Sequence, residues 1–158
     1  MTSSQPAERI EDWSRAIGDA FVAFGIIEHI TIIGIHLLPK ERIAKSVSGF
    51  RLKQRIDLLL EILEHREGDD FQQLKADLEA VIPLIQTRNL LAHNPILVEQ
   101  YVFDDGTTER LRVLHRFDKN HTRLELREAK AFALKAAAVQ KKLEKSAWKI
   151  FNAPRPVA

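Results

Sequence analysis

Residues Phe21–Leu38 read FVAFGIIEHITIIGIHLL, the most apolar stretch of the 158-residue chain, and where it is buried decides the fold. At 18 residues it meets the lower limit for a helix that spans a bilayer. Glu28 and His29 lie in its middle, however, and His36 near its end. A charged group at the centre of a spanning helix costs ~2.5–3.5 kcal/mol on insertion scales. The stretch is therefore expected in a protein core or a subunit interface, with no membrane contact. The opening MTSSQPAERIEDW has no basic run followed by an apolar one, so no signal peptide is read. The chain also contains no Cys, and a cytoplasmic location is expected.

Residues 1–10 read as a frayed start, and a long helix is expected from about Glu11 to Leu38, with Pro39 helping to end it. KERIAKSVSG, residues 40–49, reads as a connection with room for a short helical turn. A second helix is expected from about Phe50 to Arg66, where Leu52, Ile56, Leu59, Leu60 and Leu63 form an apolar stripe. Gly68 ends it, and Asp69 and Asp70 suit the start of the next. A third helix is expected from about Phe71 to His93, along the stripe Phe71, Leu74, Leu78, Ile82, Ile85 and Asn89. Pro83 inside it predicts a kink or a break into two helices. Asn94-Pro95 stops it, because a residue before Pro avoids the helical region.

The period then changes. Residues 96–103 and 109–117 flank Asp104-Asp105-Gly106-Thr107-Thr108, which reads as a β-hairpin over about 96–117. Alternation predicts Leu111, Val113, His115 and Phe117 on one face, and Arg110, Arg112, Leu114 and Arg116 on the other. A turn, DKNHT, follows, and Thr122-x-x-Glu125 reads as a capping box for a last helix running to about Phe151. Phe132, Ala136, Val139, Leu143, Ala147 and Ile150 are its expected buried stripe, and the tail from about 152 to 158 is expected to be disordered. The expected fold is all-α: a bundle of four to five helices, with a small β-hairpin inserted before the last one. A two-stranded ribbon is marginal alone, so the hairpin must pack on the bundle or on a partner.

At ~100–200 residues per domain, one domain over residues 1–158 is expected. A chain of this length buries ~70% of its unfolded surface, so it needs no metal or disulfide to fold. The absence of Cys excludes a disulfide framework, a thiolate zinc site and a Cys nucleophile. His29, His36, His65, His115 and His121 show no zinc-type spacing, even with Asp118 between the last two. There is no Gly-rich phosphate loop and no Gly-x-Ser-x-Gly, and the carboxylates show no catalytic pairing. No metal and no cofactor are expected.

The residues that carry chemistry end the third helix: Thr87-Arg88-Asn89-Leu90-Leu91-Ala92-His93-Asn94-Pro95. Asn89 and His93 are four apart and share a helix face. Arg88 is rotated by ~100° from Asn89, but its side chain is long enough to swing to the same rim. An imidazole can act as base or acid near neutral pH. A guanidinium offers a planar fork of donors to a phosphate as its charge builds. Spacing alone leaves a blander alternative, in which Arg88 and His93 cap helix carbonyls and Asn89 is a satisfied core amide.

The run Arg88-Asn89-x-x-Ala92-His93 on the final turn of a helix, in an all-α chain, resembles the Arg-Asn-x-x-Ala-His signature of the HEPN superfamily, in particular its toxin–antitoxin and abortive-infection members. The resemblance implies a homodimer in which motif helices from two protomers meet in a cleft. It implies metal-independent cleavage of RNA there, leaving a 2′,3′-cyclic phosphate, with Arg88, Asn89 and His93 as the catalytic set. It also allows a silent member that binds RNA, nucleotides or a protein partner, and the residues alone allow a structural helical adaptor. A cognate antitoxin is an implied partner. Glu28, a carboxylate on an apolar helix, is expected either to face solvent beside His29 or to reach Arg88 or Asn89 and orient the site.

Basic residues cluster in three places: Arg51, Lys53 and Arg55; Arg110, Arg112 and Arg116; and Lys135, Lys142, Lys145 and Lys149. Residues 1–93 carry 11 Lys+Arg against 14 Asp+Glu, and residues 94–158 carry 13 against 8. The basic excess follows the motif, so Arg110, Arg112 and Arg116 are the expected RNA contacts. Base stacking is expected to be minor, given the few aromatics on these stretches.

Overall fold

The computed structural model describes residues 8–39, 47, 49–116 and 122–152. The described elements are helix α1 (Ile10–Leu37), α2 (Leu52–Glu64), α3 (Asp69–Glu79), a 3-10 turn (Ile82–Leu84), α4 (Ile85–His93), strands β1 (Ile96–Val102), β2 (Thr108–His115) and β3 (Arg123–Glu125), and helix α5 (Leu126–Phe151). The fold is mostly helical, with one small antiparallel sheet. The expected 40–49 connection, the DKNHT turn and the C-terminal tail fall largely or wholly outside the described residues.

α1 is the central helix. Trp13, Ala16, Ala20, Ala23, Phe24, Ile27, Ile30 and Ile35 are buried along it. Its apolarity exceeds what this burial uses, since only 44% of its most apolar 18-residue window is buried. By length and composition alone the same helix is long and apolar enough to cross a membrane. The Leu38 N–H bonds to Gly34 O at 2.9 Å, closing the last turn just before Pro39.

α5 packs along α1. Both helices begin beside the sheet: β3 runs directly into α5, and Arg112 of β2 donates to the Glu8 carbonyl ahead of α1. Their far ends meet where Gly34 faces Phe151. Ala16, Ala20 and Ala23 of α1 and Ala129, Ala133 and Ala136 of α5 are buried, which lets the helices approach closely, and Phe24 stacks on Phe132 at 6.0 Å. α2 and α3 complete the core with Ile56, Leu59, Leu63, Leu74 and Leu78, all nearly fully buried. Each such side chain contributes ~1.5–3 kcal/mol of burial. Gly68, at φ 114°, permits the tight link between α2 and α3, a conformation other residues adopt only under strain.

The third helix expected over 71–93 is broken rather than kinked. Pro83 lies in the 3-10 turn between α3 and α4, where a residue without an N–H costs nothing. The hairpin is also more than a hairpin. β1 pairs with β2 from Ile96↔Leu114 to Val102↔Thr108, and β2 pairs with β3 through Val113↔Glu125, Leu114↔Leu124 and His115↔Arg123. Residues 123–125, expected inside a capped helix, thus form a third strand. The cap moves with them: the Glu125 N–H donates to Glu128 Oε2 at 2.8 Å, so the box opens at Glu125 and not at Thr122.

The sheet's placement shows which of its two faces meets the bundle. Leu114 is fully buried in the bundle core, and Ile96 and Leu124 pack beside it. The face that carries Arg110, Arg112 and Leu114 therefore turns toward the bundle at its base. Val113, on the opposite face, is fully buried as well, so the base of the sheet is covered on both sides. Further out the hairpin is exposed, with Val98, Val102 and Phe103 open to solvent.

Candidate functional site at the end of helix α4

α4 delivers its side chains to three directions. Leu90 and Leu91 are buried and anchor the helix in the core. Arg88 points back to α1, where its Nη2 donates to Glu28 Oε1 at 3.0 Å and its guanidinium lies 5.2 Å from the centre of the Phe21 ring. Asn89 and His93 are exposed and face a separate cleft.

Glu28 holds two cations. Its other oxygen lies 3.7 Å from Arg55 Nη2, on α2. One carboxylate on α1 thus ties the motif arginine to the neighbouring helix. Of the two expected arrangements for Glu28, the one that reaches Arg88 is the one observed. The side chains of Arg55, Arg88 and Glu28 are 15%, 26% and 32% exposed, so the cluster is partly shielded from water. Arg55 belongs to the basic cluster Arg51, Lys53 and Arg55 at the start of α2. No sequence signal tied it to Arg88, because the link runs through a third residue.

Arg88 does not lie in the cleft with His93. Its connection to that side is a 3.3 Å bond from Nη1 to Asn89 Oδ1. The buried Nε of Arg88 has no partner, and nor does that of Arg55. Arg88 therefore retains donor capacity beyond the Glu28 pair.

The cleft has a volume of about 370 Å³ and is lined by Gln86, Asn89, Leu90, His93, Asn94 and Arg116. Gln86, Asn89 and His93 recur at one turn each along α4 and so share a face. Asn94, just past the helix end, donates Nδ2 to Leu90 O at 2.9 Å. Arg116 comes from beyond the end of β2, brought there by the pairing of His115 N–H with Pro95 O at 3.2 Å.

The three expected RNA-contact arginines part company. Arg116 reaches the cleft. Arg112 donates to the Glu8 carbonyl, and Arg110 donates to Gln100 Oε1 at 3.2 Å, on the hairpin. Gln86 and Asn94, which were not among the expected site residues, line the cleft instead. The one-turn spacing of Gln86 from Asn89 was the signal available for it.

A larger cavity of about 570 Å³ lies between α1 and α5, with Val22, Ala133 and Leu134 among its lining and Asp12, Asp19 and Lys130 at its edge. It contains none of the motif residues. Among the described residues, no three His, Asp or Glu side chains are grouped to hold a metal ion.

No protein-family model, no curated protein and no solved structure matches this chain.

Proposed function

We propose that the protein is a metal-independent endoribonuclease of the HEPN type, with a HEPN-like bundle, working as a cytoplasmic homodimer. In this reading it is a toxin or defence effector, restrained by a partner antitoxin. The observation that carries the reading is the end of α4. His93 is exposed at a cleft one turn beyond Asn89, and the Asn89 amide is bonded to an arginine that Glu28 fixes from another helix.

The chemistry assigned to these groups is transesterification. A base takes the proton of the 2′-hydroxyl, the 2′-oxygen bonds to phosphorus, and the bond to the 5′-oxygen breaks as an acid protonates it. The product strand ends in a 2′,3′-cyclic phosphate. Two His93 imidazoles, one from each protomer, supply base and acid. Arg88 stabilises the charge that builds on the phosphate, using the Nη1 now on a long bond to Asn89.

The dimer is supported by the uncovered side of α1. Gly18, Val22, Gly25, His29 and Ile32 are exposed and recur at three- and four-residue spacing. At ~100° per residue this seam runs next to Phe21 and Glu28, the residues that hold Arg88.

The test is incubation of the purified protein with single-stranded RNA in the presence of EDTA. Cleavage to cyclic-phosphate ends is expected, falling by about 10²–10⁴ in His93→Ala and also lost in Arg88→Ala. Cleavage that requires Mg²⁺, or that survives both substitutions, rejects the proposal. A second reading, a silent dimer that binds RNA or a protein, is favoured by the engagement of Arg88 with Glu28 and Phe21. The same assay separates the two.

A further inference from the structure

The cleft beside His93 presents more than a catalytic histidine, and its polar groups have fixed polarity. Asn89 Oδ1 accepts from Arg88 Nη1 at 3.3 Å. An arginine can only donate, so the Asn89 amide is oriented with its NH2 group free. Asn94 has the opposite arrangement. Its Nδ2 donates to the Leu90 carbonyl at 2.9 Å, which can only accept, so Oδ1 is left to receive a hydrogen bond. The cleft therefore carries one committed donor and one committed acceptor. Gln86, exposed and without a hydrogen bond of its own among the described residues, adds an amide that can turn either way.

Around these amides the cleft has an apolar wall and a positive edge. Leu90 is buried and forms the wall. Arg116 also lines the cleft and brings positive charge to the same space. A volume of about 370 Å³ is at the scale of one small ligand. Paired donor and acceptor, an apolar surface and an adjacent cation together match one nucleotide: a base edge carries neighbouring donors and acceptors, the ring is apolar, and the phosphate is anionic.

We infer that this cleft reads the base of a single nucleotide next to the scissile phosphate, in single-stranded RNA, with Asn94 and Gln86 as the specificity-determining residues. The inference rests on the ribonuclease reading and deepens it. Asn89 then serves two purposes, since its oxygen links it to Arg88 while its NH2 group faces the base. The strand form is favoured over a free nucleotide by His93, which is exposed in the same cleft and can meet a backbone phosphate.

The experiment measures binding of four 2′-O-methyl homopolymer tetramers, which lack the attacking hydroxyl, by fluorescence anisotropy. The wild-type protein is expected to favour one homopolymer over the weakest by about tenfold, the discrimination of one well-placed polar contact. Gln86→Leu is expected to reduce that preference to about twofold, whereas Gln86→Glu, which replaces the donor with an acceptor, is expected to change which homopolymer is favoured. Asn94→Ala is expected to weaken the preference too. Equal binding of all four by the wild type overturns the inference, as does a preference that persists in both Gln86→Leu and Asn94→Ala. A mononucleotide that binds as tightly as its tetramer overturns the assignment to a strand. Failure of the ribonuclease reading looks different: a base preference without cleavage. Failure of this inference is cleavage without a base preference.

Discussion

The Arg88 guanidinium donates to Glu28 at 3.0 Å across 60 residues of sequence, and the same carboxylate lies 3.7 Å from Arg55. Glu28 is thus the joint of α1, α2 and α4 as well as the residue that aims the motif arginine. Replacing it with Gln keeps its shape and removes its charge. Hydrogen bonds to charged groups contribute about 1.5–3 kcal/mol, and partial exposure screens part of that. Glu28→Gln is therefore expected to lower stability by about 1–2 kcal/mol. Urea unfolding should show a lower midpoint with an unchanged slope. A midpoint equal to that of the wild type would remove Glu28 from this role.

Two glycines of α1 should respond to substitution in opposite ways. A Cβ at Gly25 would meet nothing within 4 Å, so Gly25→Ala is expected to stabilise the protein by up to about 1 kcal/mol through helix propensity. A Cβ at Gly34 would lie 3.0 Å from Leu59 Cδ2 and 3.5 Å from Phe151 Cζ. There the propensity gain is offset by crowding, and the larger Gly34→Val is expected to cost about 1–3 kcal/mol. Thermal unfolding of Gly25→Ala and Gly34→Val checks the order. The Gly25 position also tests the α1 seam, because Gly25→Arg is expected to leave helix content intact while shifting sedimentation from dimer to monomer.

The periodic segments of the sequence predicted most of the helices because burial on one face of a helix leaves a strong repeat. α2 and α5 each show it, whereas α1 was legible from its continuous apolarity and the Pro39 that follows it. The break at Pro83 was legible for a similar reason, since a missing N–H has few places to go. β3 was not legible. Arg123-Leu124-Glu125 is three residues long, carries two charges and precedes a helix that Glu125 also caps, so a local reading assigns it to the helix. Its pairing with β2 is tertiary. Which face of β2 meets the bundle was not legible for the same reason: alternation divides residues between two faces but does not say which one packs. In the site, the Arg88-Asn89-x-x-Ala92-His93 run was visible as a local motif. Arg55 was not, because it reaches Arg88 only through Glu28.

The hairpin turn contains a pH-sensitive contact. The Asp105 carboxylate accepts from the Thr107 hydroxyl at 2.6 Å and from the Thr107 N–H at 2.9 Å, and these bonds hold its pKa below the usual 3.8. A depressed folded pKa contributes stability above the unfolded value that is lost as pH falls through the folded one. The turn is therefore expected to loosen only on acidification below about pH 4. In a carboxyl NMR titration Asp105 should have its midpoint below the usual value, moving up toward it in Thr107→Val. An unchanged midpoint in that variant would show that the hydroxyl bond is not the cause.

The two-histidine mechanism requires that a functional site be shared between protomers. If one His93 is the base and its partner's counterpart is the acid, a mixed dimer of wild type and His93→Ala has only half of the pair. Wild-type protein equilibrated with a ninefold excess of His93→Ala then sits almost wholly in mixed dimers, and its activity per wild-type chain is expected to fall about tenfold. A site complete within one protomer predicts no such fall, because each wild-type chain keeps its own Arg88, Asn89 and His93. Arg88→Ala added in the same excess separates the contributions further, since it leaves His93 in place and removes only the group that meets the phosphate. Activity per wild-type chain that stays constant with His93→Ala would rule out the shared site and leave a single His93 to perform both proton transfers.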